Sequence, residues 1–151
     1  MNLFTRGKFF ILFMTILIVA GCVFTACSTS SPNPDSTLEP SMDNGLEVVY
    51  FHRTNRCYSC TYAEDKVRYT LDTFYADEMA GGELVFMAVN VQDDANSAII
   101  DKYGAYTSSL YMNKVVNGVD DIESITGIWF FIGKDQEFVD YVNEEIEERL
   151  E

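Results

Sequence analysis

The stretch Leu46-Glu47-Val48-Val49-Tyr50-Phe51-His52-Arg53-Thr54-Asn55-Arg56-Cys57-Tyr58-Ser59-Cys60 runs from an apolar segment through a polar turn into a cysteine pair. From Leu46 to Phe51 the residues are apolar or β-branched except for Glu47, the pattern of a buried strand. His52 to Arg56 is short and polar, as a turn should be. From Cys60 onward Ala63, Val67, Leu71, Phe74 and Tyr75 recur at helical spacing, with Glu64, Asp65, Lys66 and Arg68 between them. That spacing predicts an amphipathic helix of about five turns, closed by Gly81-Gly82. The two cysteines therefore stand where a buried strand hands over to a helix.

Leu84 to Val91 reads as a second buried strand, and Ala95, Ala98, Ile99 and Tyr103 as the apolar face of a second helix. Strand, helix, strand, helix favours parallel strands joined by crossovers. Leu110 to Val116 predicts a third strand. Asn117-Gly118 then supplies a hairpin turn that admits positive φ, and Val119 to Ile122 pairs back antiparallel. Ile125 to Ile132 fits strand or helix, and Gly133-Lys134-Asp135 punctuates it. Phe138, Val142, Ile146 and Leu150 follow at i,i+4 spacing with Tyr141 beside them, a final amphipathic helix with acids on its outer face. The fold class predicted is α/β, a central mixed sheet flanked by helices.

A C-x-x-C pair that opens a helix after a buried strand is the context in which the motif means redox chemistry. Three-residue spacing at a helix start brings the two sulfurs within bonding reach. The first cysteine also meets unpaired backbone N–H groups and the positive helix end, which favour a thiolate. Cys57 is thus the expected nucleophile and Cys60 the resolving thiol, through a mixed disulfide with a partner. Arg53 and Arg56 would lower the Cys57 pKa further if they point inward, and protonated His52 would do the same. As solvent-facing turn residues they would do neither.

Other uses of the pair remain open on the sequence. Zinc needs four ligands and the folded part offers Cys57, Cys60 and His52. Haem attachment needs a histidine after Cys60, where Thr61 stands. A structural disulfide suits an oxidising compartment, although so short a loop gains little entropy. A close dithiol would also chelate a soft metal or another thiophile.

A composition that is 48% hydrophobic and 14% aromatic can bury a real core, and 151 residues suffice for one domain. Lys and Arg number 10 against 24 Asp and Glu, a formal net charge of -14, which disfavours nucleic acid and anionic lipid surfaces. At the amino end, Arg6 and Lys8 precede an apolar run from Phe9 to Ala20, the form of an export signal. The run ends in Val19-Ala20-Gly21-Cys22, which resembles the lipobox of bacterial lipoproteins, so residues 1–21 are expected to be a signal peptide and Cys22 the lipidated residue. Phe24-Thr25-Ala26-Cys27 is a second candidate, with bulky Phe24 where an aliphatic residue is usual. Residues 28–44 are rich in Ser, Pro, Asn and Asp and read as a flexible tether, completing a 22–44 linker before a folded domain at 45–151. The expected location is the extracytoplasmic face of the cell membrane, held by a lipid anchor.

Val48-Val49-Tyr50-Phe51-His52 leading into Cys57-Tyr58-Ser59-Cys60 and Ala63-Glu64 resembles a family of small thioredoxin-like proteins labelled nitrophenyl compound nitroreductase subunit ArsF. Val89-Asn90-Val91 with Asn96, and Gly127-Ile128-Trp129 followed by Phe138-Val139-Asp140-Tyr141-Val142, extend the resemblance across about Leu46 to Leu150. It implies a thioredoxin-like fold, a helical Trp129 segment, and an accessory role beside a membrane complex or a protein thiol or disulfide partner. No flavin or nicotinamide site is visible, so no cofactor is expected. One departure stands out. True thioredoxins place a cis-proline opposite the cysteines; here that place is Thr107-Ser108-Ser109, and Pro32, Pro34 and Pro40 all fall in the tether.

Overall fold

The structure is a computed structural model that describes residues 42–151. The expected signal peptide at 1–21, Cys22, Cys27 and the tether up to residue 41 lie outside the described residues.

Four strands form one sheet in the order β2-β1-β3-β4. β1 (Asn44–His52) carries the opening apolar run. It pairs in parallel with β2 (Leu84–Asn90), from Leu46 opposite Leu84 to His52 opposite Asn90. On its other side it pairs antiparallel with β3 (Ser109–Val116), from Asn44 opposite Val116 to Phe51 opposite Ser109. β3 turns at Asn117 and Gly118, both at positive φ (53° and 72°), and β4 (Val119–Ser124) returns beside it. Two successive left-handed residues match the right-handed twist of a two-stranded ribbon, which is why Asn-Gly stands there. The architecture is the expected mixed sheet flanked by helices.

β1 is buried on both faces because its alternating residues enter two cores. Leu46, Val48 and Tyr50 face α1 (Tyr58–Phe74) and α4 (Asp135–Leu150), with Val67, Leu71, Phe138, Val142 and Ile146 closing that side. Val49 and Phe51 face α3 (Ser97–Tyr103), against Ile99, Ile100 and Tyr103. Glu47 lies on the α3 side and is fully buried. Its Oε2 accepts from the Tyr103 hydroxyl at 2.5 Å, Asn113 Nδ2 at 2.7 Å and Lys102 Nζ at 3.3 Å, so the one charge in the strand is met by donors from two other elements.

Three elements depart from the sequence expectation. The long helix ends at Phe74, and a separate short helix α2 (Ala76–Gly81) carries the chain to Gly82, at φ 79°. Tyr75 and Phe74 are adjacent and cannot both face inward. Tyr75 is buried and its hydroxyl donates to Asn143 Oδ1 at 2.9 Å, leaving Phe74 53% exposed. Ala95 and Ala98 are exposed, because a 3-10 turn at Asp94–Asn96, capped by Asp93, shifts the phase so that Ile99, Ile100 and Tyr103 face the core. Ile125 to Ile132 takes the helical of its two readings, as the resemblance implied for Trp129, but as 3-10 rather than α: Thr126–Phe131 buries Ile125 and Ile128 at a three-residue period. Gly127 has no room for a side chain there, since a Cβ would overlap the Tyr141 ring.

Candidate functional site

The site grows from the carboxyl end of β1. β1 leaves the sheet at His52 as β3 enters beside it at Ser109, so the loop at 104–108 and the turn from Arg53 to Cys57 share one end of the sheet. The turn is tied to the exit of β2. Val91 N–H donates to the His52 carbonyl at 2.8 Å, Thr54 N–H to Gln92 Oε1 at 3.0 Å, and Asn90 Nδ2 to Thr54 Oγ1 at 3.0 Å. Asn90, the last residue of β2 and the middle of the Val89-Asn90-Val91 stretch, thus holds the loop that presents the cysteines.

Cys57 is the N-cap of α1, in extended conformation (φ -85°, ψ 168°), and Cys60 completes the first turn. The Cys57 carbonyl accepts from Thr61 N–H at 3.1 Å, the first intrahelical bond, while its side chain makes no cap hydrogen bond. The side chain is thereby free for chemistry. Cys57 is exposed, Cys60 half-buried, both are free thiols, and their Sγ atoms lie 2.9 Å apart. The Cys57 thiol is held below its ordinary pKa, first by the hydrogen bond from Cys60, then by the backbone N–H of Cys60 at the helix start, with lesser help from Ser59 and Cys57 and with desolvation opposing. The thiol lowered in this way is also the more exposed of the two, which suits Cys57 for attack.

The structure places the three basic candidates differently. His52 ends β1, half-buried, and its Nδ1 lies 3.2 Å from the Arg53 carbonyl oxygen, where only a protonated Nδ1 can donate. Arg53 is exposed and, among the described residues, has no carboxylate within 4 Å. Arg56 is turned to α1: its Nη1 approaches Glu64 Oε2 to 2.6 Å.

Two residues beneath the pair were not singled out by the sequence. Tyr50, fully buried, donates its hydroxyl to the Cys60 carbonyl at 2.8 Å, and burial pushes its pKa far up, with Cys60 and Glu64 adding to the rise. Glu64 is 6% exposed although it follows Ala63 on a helix whose charged residues should face water. Its spacing was the available signal: it stands one turn after Cys60 and one turn before Arg68, whose Nε lies 3.1 Å from Glu64 Oε1. Among the described residues no group of three or more His, Cys, Asp and Glu could hold a metal ion.

No protein-family model matches the chain, and no curated protein matches it by sequence. Solved structures do. The zinc-bound form of human ERp44 superposes with a TM-score of 0.51 at 16% identity, over 72% of this chain and 27% of that one, so this chain spans about a quarter of its length. A Fasciola hepatica thioredoxin (TM-score 0.36, 22% identity, 62% and 84% of the two chains) and a malarial protein (0.37, 16%, 62% and 99%) also match. The fold is thioredoxin-like.

Proposed function

We propose that this chain is a thiol-disulfide exchange protein held at the extracytoplasmic face of a membrane by a lipid on Cys22, in which Cys57 attacks and Cys60 resolves. One observation carries it: an exposed thiol, lowered in pKa by a helix start and by a second thiol 2.9 Å away. As reductant, the Cys57 thiolate attacks one sulfur of a partner disulfide, forming a mixed disulfide and releasing the other partner sulfur as thiolate. Cys60 then gives its proton to solvent and attacks Cys57 Sγ. A Cys57–Cys60 disulfide forms, and the partner leaves as a dithiol carrying both electrons. The reverse sequence oxidises a partner.

A protein partner suits the surroundings. Tyr58, 72% exposed between the cysteines, and Tyr106, 76% exposed in the loop at the same end of the sheet, offer apolar area to a docking chain. Cys60→Ser should trap a mixed disulfide through Cys57, and Cys57→Ser should trap none. Trapping by neither variant, with a large loss of thermal stability in both, would mean a structural staple. Tight stoichiometric binding of a soft metal by the reduced protein without exchange would mean chelation, possible in geometry because the two sulfurs are so close. Loss of membrane association in Cys22→Ala tests the anchor; unchanged association would move the lipid to Cys27 or remove it.

A further inference from the structure

We infer that Glu64 is a positioning residue for this dithiol: it ties down the Arg56 guanidinium and withholds its charge from the Cys57 sulfur. Arg56 is the residue immediately before the nucleophile, and a free guanidinium there would stabilise a thiolate. Instead it reaches back to α1. Glu64 is held between two guanidinium groups, Arg56 Nη1 at 2.6 Å from Oε2 and Arg68 Nε at 3.1 Å from Oε1, with its side chain 8% exposed. The Arg56 contact is an ion pair without hydrogen-bond alignment, so Oε2 has no hydrogen-bond donor among the described residues. A carboxylate sunk this far needs its cations. Arg68 is itself placed by stacking over the Phe86 ring, 4.6 Å from its centroid, so Arg56 is the movable member of the trio.

Glu64 and the cysteines also share a neighbour in Tyr50. The Tyr50 hydroxyl, which touches the Cys60 carbonyl, feels Cys60, Glu64, Arg56 and Cys57 together. The other charged or titratable groups around Cys57 are few. His52 and Arg53 stand on the turn, Asp93 and Asp94 lie beyond Gln92 at the exit of β2, and Tyr62, Lys66 and Asp135 are on the α4 side. The last three are committed to one another, Tyr62 and Lys66 both meeting Asp135. Glu64 is therefore the group that decides whether the charge next to Cys57 is spent or free.

The consequence is a dithiol tuned away from the most acidic nucleophile its turn could make, and the inference rests on the exchange role proposed above only for its purpose. Its test does not need a partner: the rate of Cys57 alkylation by iodoacetamide in the reduced full chain, across pH, with Cys57 and Cys60 resolved by peptide mass spectrometry. Glu64→Gln keeps the size and one acceptor oxygen, for Arg68, and removes the charge. Cys57 alkylation on the acid side of its pH profile should then rise about three- to tenfold, with the midpoint moved to lower pH, since thiolate fraction changes tenfold per unit of pKa. Arg56→Met in the Glu64→Gln background should bring the rate back to within about twofold of the native chain, because one charge of each sign has then gone. An unchanged or slower rate in Glu64→Gln, or a double variant as fast as Glu64→Gln, overturns the inference. Should Glu64→Gln not fold, Arg56→Met alone decides: its charge being already withheld and Glu64 keeping Arg68, Cys57 alkylation should stay within about twofold of the native rate, and a slowing of about threefold or more, the mark of a guanidinium that acts on the sulfur, overturns the inference. Altered alkylation with no mixed disulfide trapped in Cys60→Ser would leave this inference standing and remove the exchange role.

Discussion

Tyr103→Phe removes one of the three donors that meet Oε2 of the buried Glu47 carboxylate. Its hydroxyl donates to Glu47 Oε2 at 2.5 Å, in a setting where Glu47 is fully buried and Tyr103 is 5% exposed. The ring keeps its neighbours, Phe51 with centroids 5.5 Å away and Tyr111 at 5.7 Å, so the apolar contribution is unchanged and the cavity left is smaller than a methyl group. What is lost is a hydrogen bond to a charged group, about 1.5–3 kcal/mol when the acceptor stays buried. Glu47 retains Asn113 Nδ2 and Lys102 Nζ, which sets the loss in the lower half of that range. At about 4–5 °C per kcal/mol for a domain of this size, the melting temperature should fall by roughly 6–10 °C. Urea unfolding followed by far-ultraviolet circular dichroism gives the same quantity at constant temperature, with an unchanged m-value as the sign that compactness is preserved. Tyr106→Phe, at an exposed position, is the control and should cost nothing measurable. A loss under about 0.5 kcal/mol in Tyr103→Phe, or an equal loss in both variants, would refute the assignment of Glu47 as a charge held by its donors.

Two further outcomes follow from the same side chains. The Asp120 carboxyl is held below its ordinary pKa, first by the hydrogen bond from Asn113 Nδ2 and then by Lys102. A carboxylate with a depressed folded-state pKa contributes stability that is complete above its unfolded value of about 4 and is lost as pH falls through the folded value, so Asp120→Asn should flatten the melting-temperature profile below about pH 4. An acid limb with the native slope would show that Asp120 contributes nothing. Gly127→Ala forces a methyl group against the Tyr141 ring and should destabilise by about 1–3 kcal/mol, with much of that loss absent when Tyr141 is already Ala. Strictly additive losses would place the cause in the backbone rather than in the close approach.

Strand β1, β2, the Asn117-Gly118 hairpin and helix α4 were legible in the sequence because each is written in one local pattern: a continuous apolar run, a two-residue left-handed turn, an i,i+4 stripe. The misses share a cause. Tyr75 against Phe74, and Ile99, Ile100 and Tyr103 against Ala95 and Ala98, were decided by which neighbour found a tertiary partner, Asn143 in one case and the Phe51 core in the other. A single helical period does not carry that information. The segment at 126–131 followed a three-residue period, which strand and α-helix templates both miss.

The candidate site divides the same way. Cys57 and Cys60 were visible because strand, turn, cysteine and helix are contiguous, and the N-cap geometry is a local consequence of that order. The electrostatics around them were not. Basic residues at 53 and 56 read alike in a sequence, yet Arg53 is exposed and Arg56 is paired, because Glu64 lies two turns into α1 and is submerged. A charge on the polar side of a helical pattern is expected to be solvated. Glu64 departs from that because Arg68, one turn further on, stacks over Phe86 of β2 and brings its counter-charge down with it. The charge left free beside the nucleophile is thus governed by a chain of placements running from the edge strand through α1 to the turn. Replacing Phe86, well away from the sulfurs in sequence, should disturb it through Arg68 and Glu64 without touching either cysteine.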